Sequence, residues 1–229
     1  MPELTPRILN HFAFLKFKDV YYSKSALDKE QFQKELLDGL RQSSQTFYVY
    51  QVYPAQAGAD LLIWSAVEAD DPNATAKFLH QFACATNPFR SHLEFKEVYW
   101  GFTKPSQYTR TRSNQEIDPF QEDRKQYLVI YPFVKTAEWY LMSREARQGM
   151  MNEHIRIGKQ YPQILQLLLY SFGIQDQEFL VVYEMDNLSE FSDLVYELRD
   201  SEARRYTLRD TPLFTAVYHP AVETLGLWE

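Results

Sequence analysis

Apolar and polar residues follow one another along this chain in a pattern that predicts alternating strands and helices. Short runs of aromatic and β-branched residues predict strands, whereas apolar residues at helical spacing, as at Phe32, Leu36 and Leu40, predict amphipathic helices. In the first half these signals are, in order, a strand at 12–17, a helix at 26–40, strands at 46–53 and 59–67, a helix capped by Asn73 and a strand at 95–102. The first half is therefore a βαββαβ unit.

The second half repeats this order. Its predicted elements are a strand at 127–133, a helix at 143–159, strands at 164–172 and 178–185, a helix at 188–199 and a strand at 213–219. Residues 103–125 between the halves are mostly polar, which favours a mobile surface loop. The chain thus divides into an N-terminal half at 1–105, a polar linker loop at 106–125 and a C-terminal half at 126–229.

Two βαββαβ units predict the α+β class, built from tandem ferredoxin-like repeats. Each unit forms an antiparallel sheet with helices on one face, so the two bare sheet faces can be buried only against each other. We expect a closed or nearly closed barrel, a subunit of the dimeric α+β barrel type. Aromatic residues make up 16% of the chain, and their flat rings suit a barrel cavity that holds a flat ligand.

Composition narrows the classes of partner. The chain has 229 residues and a formal net charge of -7, which argues against a nucleic-acid-binding surface. Cys84 is the only cysteine, so one chain can form neither a disulfide nor a cysteine-based metal site. No run approaches about 18 apolar residues and the N-terminus lacks a leader pattern. We expect no transmembrane segment and a cytoplasmic location.

His154 is the first residue that could carry chemistry. It lies on the apolar side of the predicted helix at 143–159, with Met150 one turn before it and Ile157 one turn after. One interpretation is a core histidine whose ring is satisfied by hydrogen bonds. The other is a single axial ligand to a haem iron, since one neutral imidazole on a helix suffices for that role. The spacing alone leaves both open.

Three further positions carry open alternatives. Tyr131 ends a strand before Pro132, with Lys135 four residues on, which is either an ordinary strand end or a phenol and an ammonium at the mouth of the cavity. Gln166 is an amide among apolar neighbours, satisfied by the protein or aimed at a ligand in the barrel. Arg199, near Arg204 and Arg205, is a solvated helix end or a site for an anion.

Five segments of the second half resemble a known family. They are Tyr-Pro-Phe-Val-Lys at 131–135, Glu-Trp-Tyr at 138–140, Met-Met-Asn-Glu-His at 150–154, Ser-Phe-Gly-Ile at 171–174, and Val-Tyr-Glu-Leu-Arg through Ala-Arg-Arg-Tyr at 195–206. This combination resembles the chlorite dismutase family, and within it the coproheme decarboxylases. The resemblance implies a tandem ferredoxin-like barrel, usually assembled as a pentamer, that binds an iron tetrapyrrole, either haem b or coproheme.

The resemblance also implies roles for individual residues. His154 would be the proximal iron ligand, and Tyr131 would be the catalytic tyrosine, which forms a radical and abstracts hydrogen from a propionate. Lys135 would pair with that propionate, and Arg199 would lie near the carboxylates at the rim. Trp139 and Met150, from the same matched segments, would contact the tetrapyrrole.

Two functions of different class follow. The first is a peroxide-dependent coproheme decarboxylase, favoured by Tyr131 and Lys135; the second is a non-catalytic tetrapyrrole carrier, sensor or assembly partner, favoured by the leucine run at 167–169. Chlorite dismutation is not expected, because those enzymes place a distal arginine on the strand after the proximal helix. This chain has no arginine between Lys159 and Arg199, and its register leaves either Gln166 or Leu167 at the distal position.

Overall fold

A computed structural model describes residues 7–108 and 113–229. Its strands are β1 Ile8–Phe17, β2 Thr46–Gln51, β3 Leu61–Glu68, β4 Leu93–Thr103, β5 Tyr127–Lys135, β6 Leu165–Tyr170, β7 Phe179–Met185, β8 Thr207–Arg209 and β9 Phe214–Tyr218. Its helices are α1 Asp19–Tyr22, α2 Ala26–Ser43, α3 Ala74–Thr86, α4 Ala137–Leu141, α5 Arg144–Gly158, α6 Leu188–Arg199 and α7 Ala221–Gly226, with 3-10 turns at Asn87–Phe89 and Glu202–Tyr206.

The strands close into a barrel. Their order is β7-β6-β4-β1-β3-β2-β9-β5, and β5 pairs back onto β7, so eight strands form a ring, with short β8 added beside the end of β5. The pairs between these named strands are antiparallel. Closure removes free sheet edges from the ring. The α+β fold of two ferredoxin-like repeats and its closed barrel are confirmed.

Side chains fill the barrel interior. Phe12, Phe14 and Trp64 are fully buried there, with Phe12 stacked on Trp64 at 5.4 Å between ring centroids. Leu167 and Leu169 point into the same core from β6. The expectation of a flat ligand inside the barrel is therefore wrong, since the aromatic residues that suggested it pack against one another. The interior is thus occupied by side chains, and the sheet face that a flat ligand could still contact is the outer one.

The N-terminal repeat covers the outer face of β1 and β3 with helices. The Ser25 hydroxyl caps α2 by accepting from the Asp28 amide at 3.2 Å, and α2 then buries Leu36 and Leu40 against β1 and β3. Helix α3 adds Phe78 and Phe82. The outward side chains of β1 from residue 9 to residue 15 are each at most 3% exposed.

His11 lies in this covered face without a hydrogen bond to its Nδ1 atom from any described residue. Its ring packs on Phe78 at 5.2 Å and on Phe82 at 4.7 Å between centroids. Burial lowers the pKa of His11 from 6.5 to about 4. Between these two pH values the unfolded chain takes up a proton here that the folded chain does not, so stability is present above pH 6.5 and is lost as the pH falls.

We therefore expect His11→Leu to flatten the dependence of stability on pH. Replacing this imidazole should remove about 2 kcal/mol from the difference in unfolding free energy between pH 8 and pH 5, measured by urea denaturation. Phe78→Leu is the control, because it loosens the same packing without removing a titrating group. An equal pH dependence in His11→Leu and wild type would contradict the assignment.

The described part of the linker is tied to both repeats. Gln115 donates from Nε2 to the carbonyls of Gly158, Tyr161 and Ile164 at 2.9–3.2 Å. Its own carbonyl accepts from the Gln166 amide at 2.7 Å, and the Ile117 amide donates to the Gln166 carbonyl. Residues 113–117 thus join the end of α5 to β6. Residues 109–112 lie outside the described part of the chain.

Arg124 fixes the other end of this segment inside the barrel. Its guanidinium lies 4.8 Å from the Tyr48 ring, and its Nη1 atom is 3.5 Å from Oε1 of Glu184. Both charged side chains are only 1% exposed. Tyr50 donates to the same Glu184 oxygen at 3.2 Å, so residues from both repeats meet at this ion pair.

Because the core and this ion pair need both halves, we expect neither half to fold alone. Fragments 1–105 and 124–229, expressed separately, should lack a cooperative thermal transition, since each exposes one wall of the barrel core to water. Mixing the two fragments should restore part of the transition. Two soluble fragments that each unfold cooperatively would contradict this prediction.

Within the described residues, no helix is long and apolar enough to cross a membrane.

Candidate functional site

Three rows of side chains cross β5, β7 and β6 on the outer face of the barrel. The registers align Val129 with Tyr183 and Gln166, Tyr131 with Val181 and Leu168, and Phe133 with Phe179 and Tyr170. Val129 and Tyr183 are buried. The second and third rows are only half-buried, and Leu168 is 40% exposed. We call these two rows, from Tyr131 to Tyr170, the open face.

The open face is specific to the C-terminal repeat. The N-terminal repeat has the same order of elements, but its helices bury the matching outer face. In the C-terminal repeat, α5 reaches the sheet through Ile157, and α6 covers the first row through Phe191 and Leu194. A patch of aromatic and aliphatic side chains left uncovered beside a helix is typical of a ligand site. The arrangement suits a flat, largely apolar ligand.

His154 lies in the middle of α5, the helix beside the open face. Ser143 caps this helix, its Oγ accepting from the Ala146 amide at 3.2 Å. Burial lowers the pKa of His154 to about 4, with a smaller contribution from the Lys135 ammonium. The imidazole is therefore neutral near pH 7, and within the described residues neither ring nitrogen has a hydrogen-bond partner. This does not match a core histidine with a satisfied ring, and it leaves a lone pair free for a metal ion.

Lys135 ends β5 and is held by the segment after α6. Its Nζ atom donates to the Ala203 carbonyl at 3.1 Å and to Thr207 Oγ1 at 3.3 Å, and it lies 4.5 Å from the centroid of the Trp139 ring. Burial, with a smaller contribution from the charge of Arg204, lowers the pKa of Lys135 to about 8, and Glu178 opposes the shift. The ammonium is thus still mostly charged at neutral pH, with a fixed position and little water around it.

The 3-10 turn Glu202–Tyr206 connects Lys135 to the histidine helix. The Glu202 amide donates to the Glu153 carboxylate at 3.0 Å, directly beside His154 in sequence. Trp139 is buried, and its ring lies 5.9 Å from that of Tyr206. The turn therefore brings together three residues that the sequence singles out, His154, Lys135 and Trp139.

Tyr131 lies in the second row, at the β5 end of the open face, next to the phenol of Tyr183. Its ring stacks on Tyr183 at 6.2 Å between centroids. Burial raises the pKa of Tyr131 well above 10, and the hydrogen bond to Tyr183 and the charge of Asp210 raise it further, whereas Arg199 lowers it. Tyr131 is therefore a protonated phenol at neutral pH. Such a group can give up a hydrogen atom but is a poor source of phenolate.

Two arginines next to this phenol share one carboxylate. Arg199 and Arg204 each donate from Nη1 to Oδ2 of Asp210, at 2.7 Å and 2.9 Å. Asp210 and Arg199 both affect the pKa of Tyr131, and Arg204 affects that of Lys135. The arginine pair is thus near enough to the phenol and the ammonium for its charges to affect their pKa values. Arg205 is elsewhere, in an exposed pair with Glu202.

Comparison with known proteins identifies the family of this chain. A family model described as chlorite dismutase matches residues 26–219, which span both repeats. The chain belongs to the chlorite dismutase family. The resemblance found in the five sequence segments is confirmed.

Relatives in the chlorite dismutase family include two coproheme decarboxylases. That of Mycolicibacterium smegmatis is 29% identical over 172 residues, or 73% of this chain and 70% of that protein. That of Staphylococcus saprophyticus is 29% identical over 160 residues, covering 65% of this chain and 64% of that protein. A mutant chlorite dismutase from Candidatus Nitrospira defluvii shares the fold, with a TM-score of 0.83 at 21% identity over 96% of this chain and 95% of that one.

The structure separates the two residues that the register left open. Gln166 lies opposite Tyr183 on the outer face and is exposed, whereas Leu167 is buried in the barrel core. Gln166 is therefore aimed at the open side of the sheet and not into the barrel, because β6 side chains alternate between the two faces. For the same reason Leu168 is the only member of the leucine run at 167–169 that reaches the open face. The outer face of β6 therefore presents an amide and a leucine. The resemblance to chlorite dismutases would imply an arginine there.

Sequence reasoning identifies some residues around this candidate site and misses others. The sequence analysis identifies Met150, which is half-buried one turn before His154. It misses Tyr183, although the period-2 alternation of β7 puts this residue on the same face as Val181. Asp210 precedes a loop with no pattern of its own. Only the fold brings it to Arg199, so no local signal could have found it.

Proposed function

We propose that this chain binds an iron tetrapyrrole, haem b or coproheme, on the open face, with His154 as the iron ligand. The observation that carries the proposal is a neutral imidazole, without a hydrogen-bond partner among the described residues, on the helix beside an uncovered apolar sheet face. The residues present fit the group: flat side chains on one side, an imidazole on the other, and cations at one end. The coproheme decarboxylases among the relatives support the same ligand.

The remaining residues divide between the apolar and the charged parts of such a ligand. The open face would contact the macrocycle, with Met150 from α5 and Trp139 beside Lys135. Lys135 and Arg199 would bind carboxylates, because an ammonium and a guanidinium in a site with little water form strong charge-assisted hydrogen bonds. Gln166 would offer its amide to a small polar molecule over the ring.

We further propose that the reaction is peroxide-dependent decarboxylation of coproheme. A bound iron tetrapyrrole would supply the two-electron reduction of peroxide to water. Each propionate that becomes a vinyl group releases carbon dioxide, one proton and two electrons, and one peroxide accepts those electrons. Tyr131 is the side chain suited to act on the propionate, since its oxidised phenol oxygen would take a hydrogen atom from the carbon chain. Lys135 would hold the carboxylate beside it.

The second candidate is a tetrapyrrole carrier, sensor or assembly partner without turnover. Leu168 supports it, since an exposed leucine over the ring leaves few polar groups for an oxidant. Chlorite dismutation is not proposed, because neither Gln166 nor Leu168 is a cation that could hold an oxyanion.

We also propose a homo-oligomer, by resemblance a pentamer. Leu27 and Val222 are exposed apolar side chains beside the groove between α2 and α7, and they support association between copies of the chain. Sedimentation velocity would measure the oligomeric state directly. The cytoplasmic location stays a prediction.

One experiment separates the two candidates. Apo-protein is loaded with coproheme, peroxide is added in steps, and the porphyrin is analysed by mass spectrometry. A decarboxylase should yield two successive products, each lacking one carbon dioxide and two hydrogen atoms. Coproheme without protein, treated with the same peroxide, is the control for bleaching. Binding without these mass losses would favour the carrier, and no binding would reject both candidates.

A further inference from the structure

Asp210 binds Arg199, which the proposed function assigns to a ligand carboxylate, and also binds Arg204. Both arginines bind the same oxygen, Oδ2, although a carboxylate has two oxygens to offer. The Asp210 side chain is 20% exposed, whereas Arg199 and Arg204 remain 47% and 35% exposed. The guanidiniums thus have donors left over toward solvent, and one internal anion satisfies part of both.

The surroundings of Asp210 would allow it to leave. It lies after β8, in the connection to β9, and the residues on either side of it, from 208 to 213, are exposed. Arg199 ends α6 and Arg204 lies in the 3-10 turn that Lys135 holds through the Ala203 carbonyl. The two arginines are therefore on anchored elements, and their carboxylate partner is on an exposed connection.

We propose that Asp210 stands in for a ligand carboxylate, and that a tetrapyrrole binds by displacing it and pairing with both Arg199 and Arg204. This inference rests on the proposed function and adds to it. It assigns Arg204 to the carboxylate site, and it makes Asp210 an internal competitor that favours ligands with several carboxylates. A ligand with few carboxylates cannot replace the ion pairs that it breaks.

The test uses binding of metal-free coproporphyrin, a tetracarboxylate, to the full chain, followed by quenching of protein fluorescence. Since no iron is present, the readout is independent of turnover and of His154. Asp210→Asn should tighten binding about tenfold, because the arginines are then free to pair with the ligand. Glu202→Gln is the matched control. It removes one carboxylate from the same region, in a pair whose side chains are 59% and 75% exposed, and should change the dissociation constant less than twofold.

Arg204 supplies an independent arm. Arg204→Gln should weaken coproporphyrin binding at least threefold, and Arg205→Gln, its neighbour outside the cluster, should not. The effect of Arg204→Gln should be larger in the Asp210→Asn background than in the wild-type chain, because the released guanidinium then contributes fully. This arm remains informative if Asp210→Asn does not fold.

The outcomes are distinct. Weaker binding by Asp210→Asn, or binding equal to that of Glu202→Gln, would overturn the displacement and make Asp210 a residue that positions the arginines. Equal binding by Arg204→Gln and Arg205→Gln would remove Arg204 from the site. If the wild-type chain binds neither coproporphyrin nor coproheme, the proposed function itself fails, which is a different result from either.

Discussion

His154→Ala should abolish the spectrum of histidine-ligated ferric haem and weaken the binding of coproheme roughly a hundredfold or more. Loss of a residue that merely supports a metal ligand costs 10- to 100-fold, so loss of the ligand should cost at least as much. The fold should survive, because within the described residues the ring makes no hydrogen bond and is only half-buried. Absorption in the Soret region and a thermal melt of the apo-protein measure the two effects.

Two controls separate ligation from packing. His80→Ala changes an exposed histidine on α3 and should leave the Soret band unchanged. Free imidazole added to His154→Ala should restore the ligand field, since the substitution leaves room for the lost ring. An unchanged spectrum in His154→Ala would show that another group holds the iron, and the assignment would then be abandoned.

Tyr131→Phe should stop decarboxylation while leaving coproheme binding nearly unchanged. The substitution keeps the ring on the open face and removes only the hydroxyl, so the binding free energy should change by about 1 kcal/mol, the value of one hydrogen bond. Turnover should fall below detection, because no other phenol of the open face lies beside Lys135 and the arginine pair. The measurement is the yield of vinyl product per peroxide, with the dissociation constant determined in parallel.

Tyr127→Phe is the matched control, since Tyr127 lies on the same face of β5 four residues earlier and is likewise half-buried. It should retain the wild-type yield. Wild-type decarboxylation by Tyr131→Phe would refute the role of this phenol. Tyr183→Phe removes the hydrogen bond to Tyr131 and should give an intermediate yield, because Tyr131 keeps its hydroxyl but loses a partner that orients it.

The two repeats have the same order of elements, but only the second leaves part of its outer sheet face uncovered. This difference explains why two similar repeats give one candidate site. In the first repeat, the long helix α2 and the aromatic side chains of α3 bury the outer face of β1 and β3. In the second repeat, α5 contacts the sheet through Ile157 near its C-terminal end. Segment 113–117 connects that end of α5 to β6 through the hydrogen bonds of Gln115. The open face is therefore bordered by contacts at its edge instead of being covered by a core.

Sequence patterns by themselves predicted the six main elements of each repeat, their doubling and the closed barrel, because period-2 and helical spacings are local and each repeat leaves one sheet face bare. The short elements α1, α4, α7 and β8 were not predicted. The same patterns also placed His154 on the inner side of its helix, since four residues make about one turn. Local signals of this kind need no knowledge of what lies across the fold.

Only the tertiary structure shows where the candidate site lies and how its charges are paired. The aromatic residues suggested a cavity within the barrel, but packing between the two repeats fills that space and leaves the outer face of β5, β7 and β6 open. Only the register of β6 against β7 shows that Gln166 faces outward while Leu167 is buried, since a shift of one residue reverses every side chain. The pairing of Asp210 with Arg199 and Arg204 depends on the connection from β8 to β9, which has no periodicity, so no local pattern could predict it.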